Sequence, residues 1–346
     1  MATLLEARHI TKVFGGGFFQ TRNQTVAVED FSLAIADEPP SITAVVGESG
    51  SGKTTLARLL LGVTAPTRGA VLYRGRDLTT LNREDRRGFL RDIQVIFQDP
   101  YEVYNPFYKI DHVLETPIKE FRLAKSADEV RDLMEKTLRA VGLRPEETLG
   151  RFPHQLSGGQ RQRIMVARAL LLHPRLIIAD EPVSMVDASL RATILDNLRE
   201  LNRQFGISII YITHDLTTAY QISENIVVLY RGSVSEAGDV QKVVRDPQHP
   251  YTRLLIGSVP LPDPDRVWTH RMRVPDEDQP AFPIHGGCKF ADRCPSMMEV
   301  CGQSVPPMFQ TDPHRVARCF LYQSAPKIET EKLGDVFVSR SASAEG

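Results

Sequence analysis

Residues 42–60 read ITAVVGESGSGKTTLARLL, and this stretch decides the fold. Ile42 to Val46 form an apolar, β-branched run that predicts a strand, and residues 53–62 predict a helix. Between them lies GESGSGKT (47–54), which matches the phosphate-loop pattern of glycine, four residues, then Gly-Lys-Thr. Gly47, Gly50 and Gly52 let backbone amides wrap phosphates, while Glu48, Ser49, Ser51 and Thr55 complete the nucleotide-binding stretch. Lys53 can reach the β and γ phosphates, and the Thr54 hydroxyl suits Mg²⁺. The helix N-terminus adds a field that favours anions.

A second stretch supplies the chemistry such a loop lacks. RLIIADEP (175–182) predicts an apolar strand ending in Asp180 and Glu181. A carboxylate at that strand end can hold Mg²⁺ through water. Glu181, one residue on, can polarise an attacking water as a general base. Phosphoryl transfer to water needs charge neutralisation and a positioned nucleophile more than covalent chemistry. A kinase would need an acceptor pocket, of which the sequence gives no sign.

LSGGQ (156–160) is the third signal. Two glycines at a helix start each cost roughly 1 kcal/mol relative to alanine. Ser157 is a natural N-cap, and Gly158 and Gly159 leave the first amides uncovered as far as Gln160. That makes a second anion-binding helix end. The plainer reading is that these glycines allow close helix packing.

The remaining pattern is α/β. Strands are expected at 4–10, 28–35 and 42–46, in AVLYRG (70–75) and in IQVIF (93–97). LIIAD, SIIYIT and NIVVLY are short, continuous and rich in isoleucine and valine, as strands buried on both faces should be. Residues 188–205 have helical periodicity, and DEVRDLMEKTLRAVGL (128–143) is the clearest amphipathic stretch of a mostly helical insertion over about 100–165. The fold class expected is an α/β phosphate-loop ATPase: a mostly parallel sheet core, an N-terminal antiparallel β subdomain, a helical subdomain and a cysteine-bearing C-terminal extension. The expected division is an ATPase domain over 1–246, a C-terminal module over 247–325, and a disordered polar tail over 326–346. A glycine-led polar insert, GGGFFQTRNQ (15–24), reads as a hairpin or loop.

The formal net charge of the 346-residue chain is −1, with no basic footprint for nucleic acid. The mixed charges of NREDRRGFLR (82–91) read as a solvated helix face. No apolar run reaches the length of a membrane-spanning helix, and MATLLEARHI has no signal-peptide pattern.

LSGGQRQRIMVARAL (156–170), followed closely by LIIADEP, resembles the nucleotide-binding subunits of ABC transporters. The resemblance covers about residues 3–245. It implies that Gln98 in VIFQDPY contacts the metal and the water and links the site to a membrane partner. It implies that His214 in YITHDL contacts the γ-phosphate, that Asp187 in SMVDAS is the D-loop aspartate, and that Phe14 in ITKVFGG stacks on adenine. Read alone, Phe14 is a packed ring, His214 a buried hydrogen-bonded histidine and Gln98 a polar strand end. One departure is Val186 where the family often has leucine, an exchange of one apolar residue for another. The resemblance further implies that Ser157–Gln160 grips ATP held by a second ATPase chain, so that ATP binding closes a dimer and hydrolysis opens it.

HPYTRLLIGSVP (249–260) looks like the C-terminal signature of oligopeptide and dipeptide importer ATPases. All four cysteines, Cys288, Cys294, Cys301 and Cys319, follow it with spacing Cys-x5-Cys-x6-Cys-x17-Cys. Structural zinc usually has a tighter Cys-x2–4-Cys pair, iron–sulfur spacings vary, and four free thiols are the bland reading. The subfamily resemblance implies a [4Fe–4S] cluster among these options. The insert GGGFFQTRNQTVAVEDFSL (15–33) is similar to the second ATPase of such pairs, which implies a heterodimer. The partners implied are two transmembrane permease subunits and an extracytoplasmic binding protein, at the cytoplasmic face of a bacterial inner membrane. The cargo implied is short peptides, with nickel or oligosaccharides as alternatives. A different class, an ABC ATPase of DNA repair or translation, usually carries a long coiled-coil insertion or two ATPase domains, and this sequence has neither. An exporter ATPase conflicts with the 249–260 signature.

Overall fold

The computed structural model describes residues 2–15, 24–98, 104–184, 186, 188–259 and 286–338. Most of the insert at 15–24 and the D-loop residue Asp187 lie outside the described residues. The chain forms two compact units, one built from Asp37–Ile42 and Leu78–Ile212, the other from Ala2–Ala36, Thr43–Asp77 and Thr213–Gly346.

In the first unit, strands Ile93–Ile96, Leu176–Asp180 and Ser208–Thr213 run parallel. Ile93 pairs with Leu176, and Asp180 pairs with Ile212 at the far end of the next ladder. Ile177, Ile178, Ile210 and Ile212 are fully buried, as continuous β-branched runs in a two-sided sheet should be. The expected helical portion consists of Ile110–Phe121, Ala127–Ala140, Pro145–Thr148 and Gly158–Leu170. Ser126 starts the second of these helices by accepting from the Glu129 amide at 3.2 Å. Ile110, Leu114 and Ile118 recur at helical spacing, and their helix packs against the one that buries Met134 and Leu138. Arg83–Asp92 buries only Phe89, so the charged run is the solvated face expected of it.

In the second unit, an antiparallel sheet takes the order Thr25–Ala36, Thr3–Phe14, Arg68–Tyr73, Arg76–Asp77. A second sheet begins with Ile42–Val46, which pairs in parallel with Asn225–Tyr230. From there it turns antiparallel through Ser233–Asp239, Arg315–Ala317, Met308–Asp312 and Lys327–Ile328.

This ladder corrects two expectations. The chain does not divide near residue 246, because strands from beyond it hydrogen-bond to Ser233–Asp239 within one compact unit. Nor is the tail uniformly disordered from 326. Lys327–Ile328 is a strand, and Thr330–Val336 is a 3₁₀ segment packed on Thr25–Ala36. Asn225 fixes the end of that segment through both its amide groups, donating to Val338 O at 2.9 Å and accepting from Val338 N at 2.8 Å. Polar composition misled here: the tail is held by backbone pairing and by two buried side chains, Leu333 and Val336.

Glu236 lies wholly buried on Ser233–Asp239. Its carboxylate accepts from the amides of Gln248, at 2.9 and 3.1 Å, and His249, at 2.8 Å. Burial pushes this carboxyl up to about 7 and pushes the His249 imidazole down to about 3. The folded protein keeps the Glu236 proton that the unfolded chain releases above its ordinary value of 4.5, so this contribution to stability fades as pH rises towards 7. His249 works the other way, because the unfolded chain gains a proton below 6.5 that the folded one refuses until about 3. Between those ordinary values the two slopes oppose each other. In Glu236→Gln only the histidine slope remains, so the stability of the variant relative to wild type should rise from pH 4.5 to 6.5, by about 2 kcal/mol. Thermal unfolding of both proteins across that range measures it, and a difference that stays flat with pH contradicts the assignment.

Candidate functional site

The phosphate loop belongs to the second unit. Gly52 precedes helix Lys53–Leu60 in the left-handed region, φ 101°, and a Cβ there would sit 2.1 Å from Ala27 O. At Gly47 a Cβ would meet Leu229 O at 2.3 Å. Both positions therefore demand glycine for steric reasons independent of any ligand. Gly50, at the exposed tip, has open space around its missing Cβ. Ser49 is exposed and Ser51 buried, while Thr54 is exposed and Thr55 half-buried at the start of the helix. Lys53 is buried, and its Nζ donates to Gly47 O at 2.7 Å and Glu48 O at 3.0 Å. The loop thus holds its own cation at the centre of its curl, where phosphate oxygens can take it over.

His214 follows strand Ser208–Thr213, is exposed, and belongs to the same unit. Asp215 after it caps Leu216–Ile222, accepting from the Thr217 amide at 2.8 Å. The buried-histidine alternative is therefore not what the structure shows. Phe14 ends its strand with an exposed ring, and the Lys12 ammonium lies 5.2 Å from the ring centroid. It is not the packed core ring of the plainer reading.

The first unit holds the other residues. Asp180 is buried at the end of its strand. Glu181 follows with φ 46°, the left-handed region, which costs a non-glycine residue on the order of 1–3 kcal/mol. Its amide donates to Ile212 O at 2.8 Å and its carbonyl accepts from Ser184 N at 3.2 Å and Ser184 Oγ at 2.9 Å. The carboxylate accepts from Gln98 Nε2 at 3.2 Å. Residues 83 positions apart are thereby brought together. The strained backbone and this bond together fix the direction of the carboxylate.

Ser157 caps Gly158–Leu170 with reciprocal bonds: Ser157 Oγ accepts from Gln160 N at 3.2 Å and Gln160 Oε1 accepts from Ser157 N at 2.9 Å. A Cβ on Gly158 would meet nothing within 4 Å. Packing gives no reason for this glycine, which leaves the anion-binding reading in place.

The [4Fe–4S] cluster implied by the resemblance is not shown by the arrangement of the four cysteines. Cys288, Cys294, Cys301 and Cys319 are all free thiols. Cys288, Cys294 and Cys301 are near enough to Cys319 to disfavour its thiolate, yet among the described residues no group of three cysteine, histidine or acidic side chains converges to hold a metal ion. Burial pushes the Cys288 and Cys294 thiols up and takes Cys319 up to about 11. These are the values of metal-free thiols, which lose their protons when they ligate an ion.

Two further residues join the loop: Tyr251, within the 249–260 signature, and Arg293, next to Cys294. Tyr251 is fully buried, and its hydroxyl accepts from the Glu48 amide at 3.0 Å. The Arg293 guanidinium grips the Glu48 carboxylate with both arms, at 3.0 and 3.1 Å. An HPY triplet and an arginine beside a cysteine were the only signals available.

A phosphate loop with buried lysine, a strand-end Asp-Glu pair and a glycine-opened helix define a phosphate-loop nucleoside triphosphatase. The comparisons carry this further. Residues 28–184 match the ABC transporter family, and residues 235–301 match the family described as oligopeptide/dipeptide transporter, C-terminal region. The putative oligopeptide transport ATP-binding protein YkfD of Bacillus subtilis (strain 168) is 39% identical, over 93% of this chain and 96% of its own length. The di/tripeptide transport ATP-binding protein DppF of Pseudomonas aeruginosa (strain UCBPP-PA14) is 37% identical, over 92% of this chain and 97% of its own. Among solved structures, the dimeric post-hydrolysis state of the ATP-binding cassette MJ0796 bound to ADP and Pi superposes with a TM-score of 0.60 at 28% identity, covering 68% of this chain and 99% of that one. The chain belongs to the ABC transporter ATP-binding subunits, in the group that carries the oligopeptide/dipeptide C-terminal region, and it is an ATPase.

Proposed function

We propose that this chain powers the uptake of short peptides across a bacterial inner membrane, as one of two ATPase chains docked on transmembrane permease subunits and fed by an extracytoplasmic binding protein. The observation that carries the cargo class is the match of residues 235–301 to the oligopeptide/dipeptide C-terminal region. The names of the relatives above point to peptides rather than to nickel or oligosaccharides. Among the described residues no helix is long and apolar enough to cross a membrane, so the pathway for the cargo must come from other chains. Leu90, Phe97, Phe107 and Tyr108 offer exposed apolar surface on the unit that holds Gln98, which suits a membrane-embedded partner.

In this reading ATP lies on the loop of residues 47–55 with its adenine on Phe14. Lys53 neutralises the β and γ phosphates, and His214 contacts the γ-phosphate. Thr54, Gln98 and Asp180 supply the oxygen donors that suit Mg²⁺, which neutralises phosphate charge when bound. Glu181 polarises the attacking water, with Gln98 holding its carboxylate. Ser157 to Gln160 face the nucleotide of the partner ATPase, and Asp187 lies at the dimer contact. The dimeric state in the name of the MJ0796 structure supports such an arrangement. The glycine-led insert favours a partner that is a different chain.

The test is reconstitution of the purified complex in vesicles with its binding protein. ATP inside the vesicles should drive accumulation of labelled tri- to pentapeptides. Accumulation of nickel or an oligosaccharide, with none of peptide, overturns the cargo assignment.

A further inference from the structure

We infer that Arg293, with Tyr251, is a positioning residue for the nucleotide: the C-terminal segment clamps the phosphate loop through Glu48 and presets it for ATP. The inference rests on ATP binding to the loop and is independent of the cargo.

Glu48, the second residue of the loop, has each of its polar groups engaged. Its carbonyl accepts from Lys53 Nζ at 3.0 Å and from Ser51 N at 3.1 Å, both within the loop. Its other two groups are held by residues far along the chain. The amide donates to Tyr251 Oη at 3.0 Å, and both carboxylate oxygens take Arg293, Oε2 from Nη1 at 3.0 Å and Oε1 from Nη2 at 3.1 Å. Such a two-armed pairing fixes direction as well as distance, which a single contact does not.

The clamp is itself rigid. Arg293 is only 16% exposed, and its guanidinium lies 5.7 Å from the ring centroids of both Tyr230 and Phe290. Tyr251 packs against the same two rings, at 4.5 and 5.6 Å. The turn that carries Arg293 is pinned where Cys288 N donates to Cys301 O at 2.7 Å, and where Arg231 donates to Lys289 O at 3.0 Å and to Asp292 at 2.9 Å. Lys289 Nζ returns a bond to Arg231 O at 2.6 Å. Arg231 directly follows Asn225–Tyr230, the strand that pairs with the one leading into the loop. A loop held this way loses less freedom when phosphates arrive, so the clamp should tighten ATP binding and leave the hydrolytic step almost alone.

The test uses the full-length chain and a fluorescent ATP analogue, with turnover measured in the assembled complex. Arg293→Ala should weaken nucleotide binding about tenfold, as loss of a charge-assisted pair of this strength implies. The KM for ATP should rise in parallel while kcat stays within about twofold. Arg293→Lys should recover part of the loss, and Glu48→Ala combined with Arg293→Ala should be no worse than either alone. Tyr251→Phe removes one hydroxyl from a packed ring, so it tests the same clamp should the arginine variant fail to fold; it should weaken binding severalfold. An unchanged affinity in folded Arg293→Ala or in Tyr251→Phe overturns the inference. So do effects of Glu48→Ala and Arg293→Ala that simply multiply. Binding by the isolated chain needs neither permease nor cargo, so failure here is distinct from failure of the peptide-import reading.

Discussion

Glu181→Gln should bind ATP as tightly as wild type, within a few fold, and lose turnover by about 10²–10⁴-fold, the range a positioned general base supplies. The geometry makes this substitution clean. The left-handed backbone at Glu181 is anchored by its amide on Ile212 O and by Ser184 on its carbonyl, neither of which involves the side chain. A glutamine of the same shape keeps one oxygen to accept from Gln98 Nε2. What disappears is the negative oxygen able to polarise a water. ATP hydrolysis by the assembled complex, set beside analogue binding by the isolated chain, separates the two effects. Near-normal turnover would sink the assignment of Glu181.

Gly158→Asp should spare ATP binding by the chain that carries it and abolish turnover in the complex. Its Cβ enters open space, and the backbone at Gly158 is ordinary helix, so the fold tolerates a side chain there. A carboxylate in the first turn even favours the helix, by about 0.3–1 kcal/mol. Loss of activity then cannot be put down to unfolding. In the dimer reading that carboxylate faces the γ-phosphate of the partner's ATP, and two anions in a low-dielectric crevice repel strongly. Gly158→Ala is the control and should retain most activity if charge rather than bulk is responsible. A complex of Gly158→Asp that hydrolyses ATP normally removes Ser157–Gln160 from the site.

The parts legible in the sequence are those whose cause is local. The phosphate loop announces itself because glycines at 47 and 52 are forced by backbone oxygens only 2.3 and 2.1 Å from where a Cβ would stand. The buried strands announce themselves through unbroken isoleucine and valine, and the helix at 188–205 has the bounds its periodicity gives it. Ser233–Asp239 does not, because SVSEAGD contains little that favours a strand. Only its neighbours on both sides make it one, and they pair with it from either side of residue 246. The tail was misjudged for the same reason: its order comes from Asn225 and from strand pairing, not from its own composition. Gln98 and Glu181 could be linked only through the family resemblance, and Arg293 with Glu48, 245 positions apart, could not be linked at all. The four cysteines carry a strong sequence signal, yet among the described residues no three cysteine, histidine or acidic side chains are grouped to hold a metal ion.

The antiparallel continuation of the second sheet has a consequence for how the chain can be cut. Ending it after Arg245, the last residue of the helix that follows Ser233–Asp239, would strip Arg315–Ala317 from that strand. It would also remove the Gln248 and His249 amides from Glu236. The result would be a bare strand margin with a stranded buried acid, a template for joining other chains edge to edge. The C-terminal segment therefore serves as a selvedge for the nucleotide-binding sheet: it finishes the weave and keeps it from fraying into aggregates.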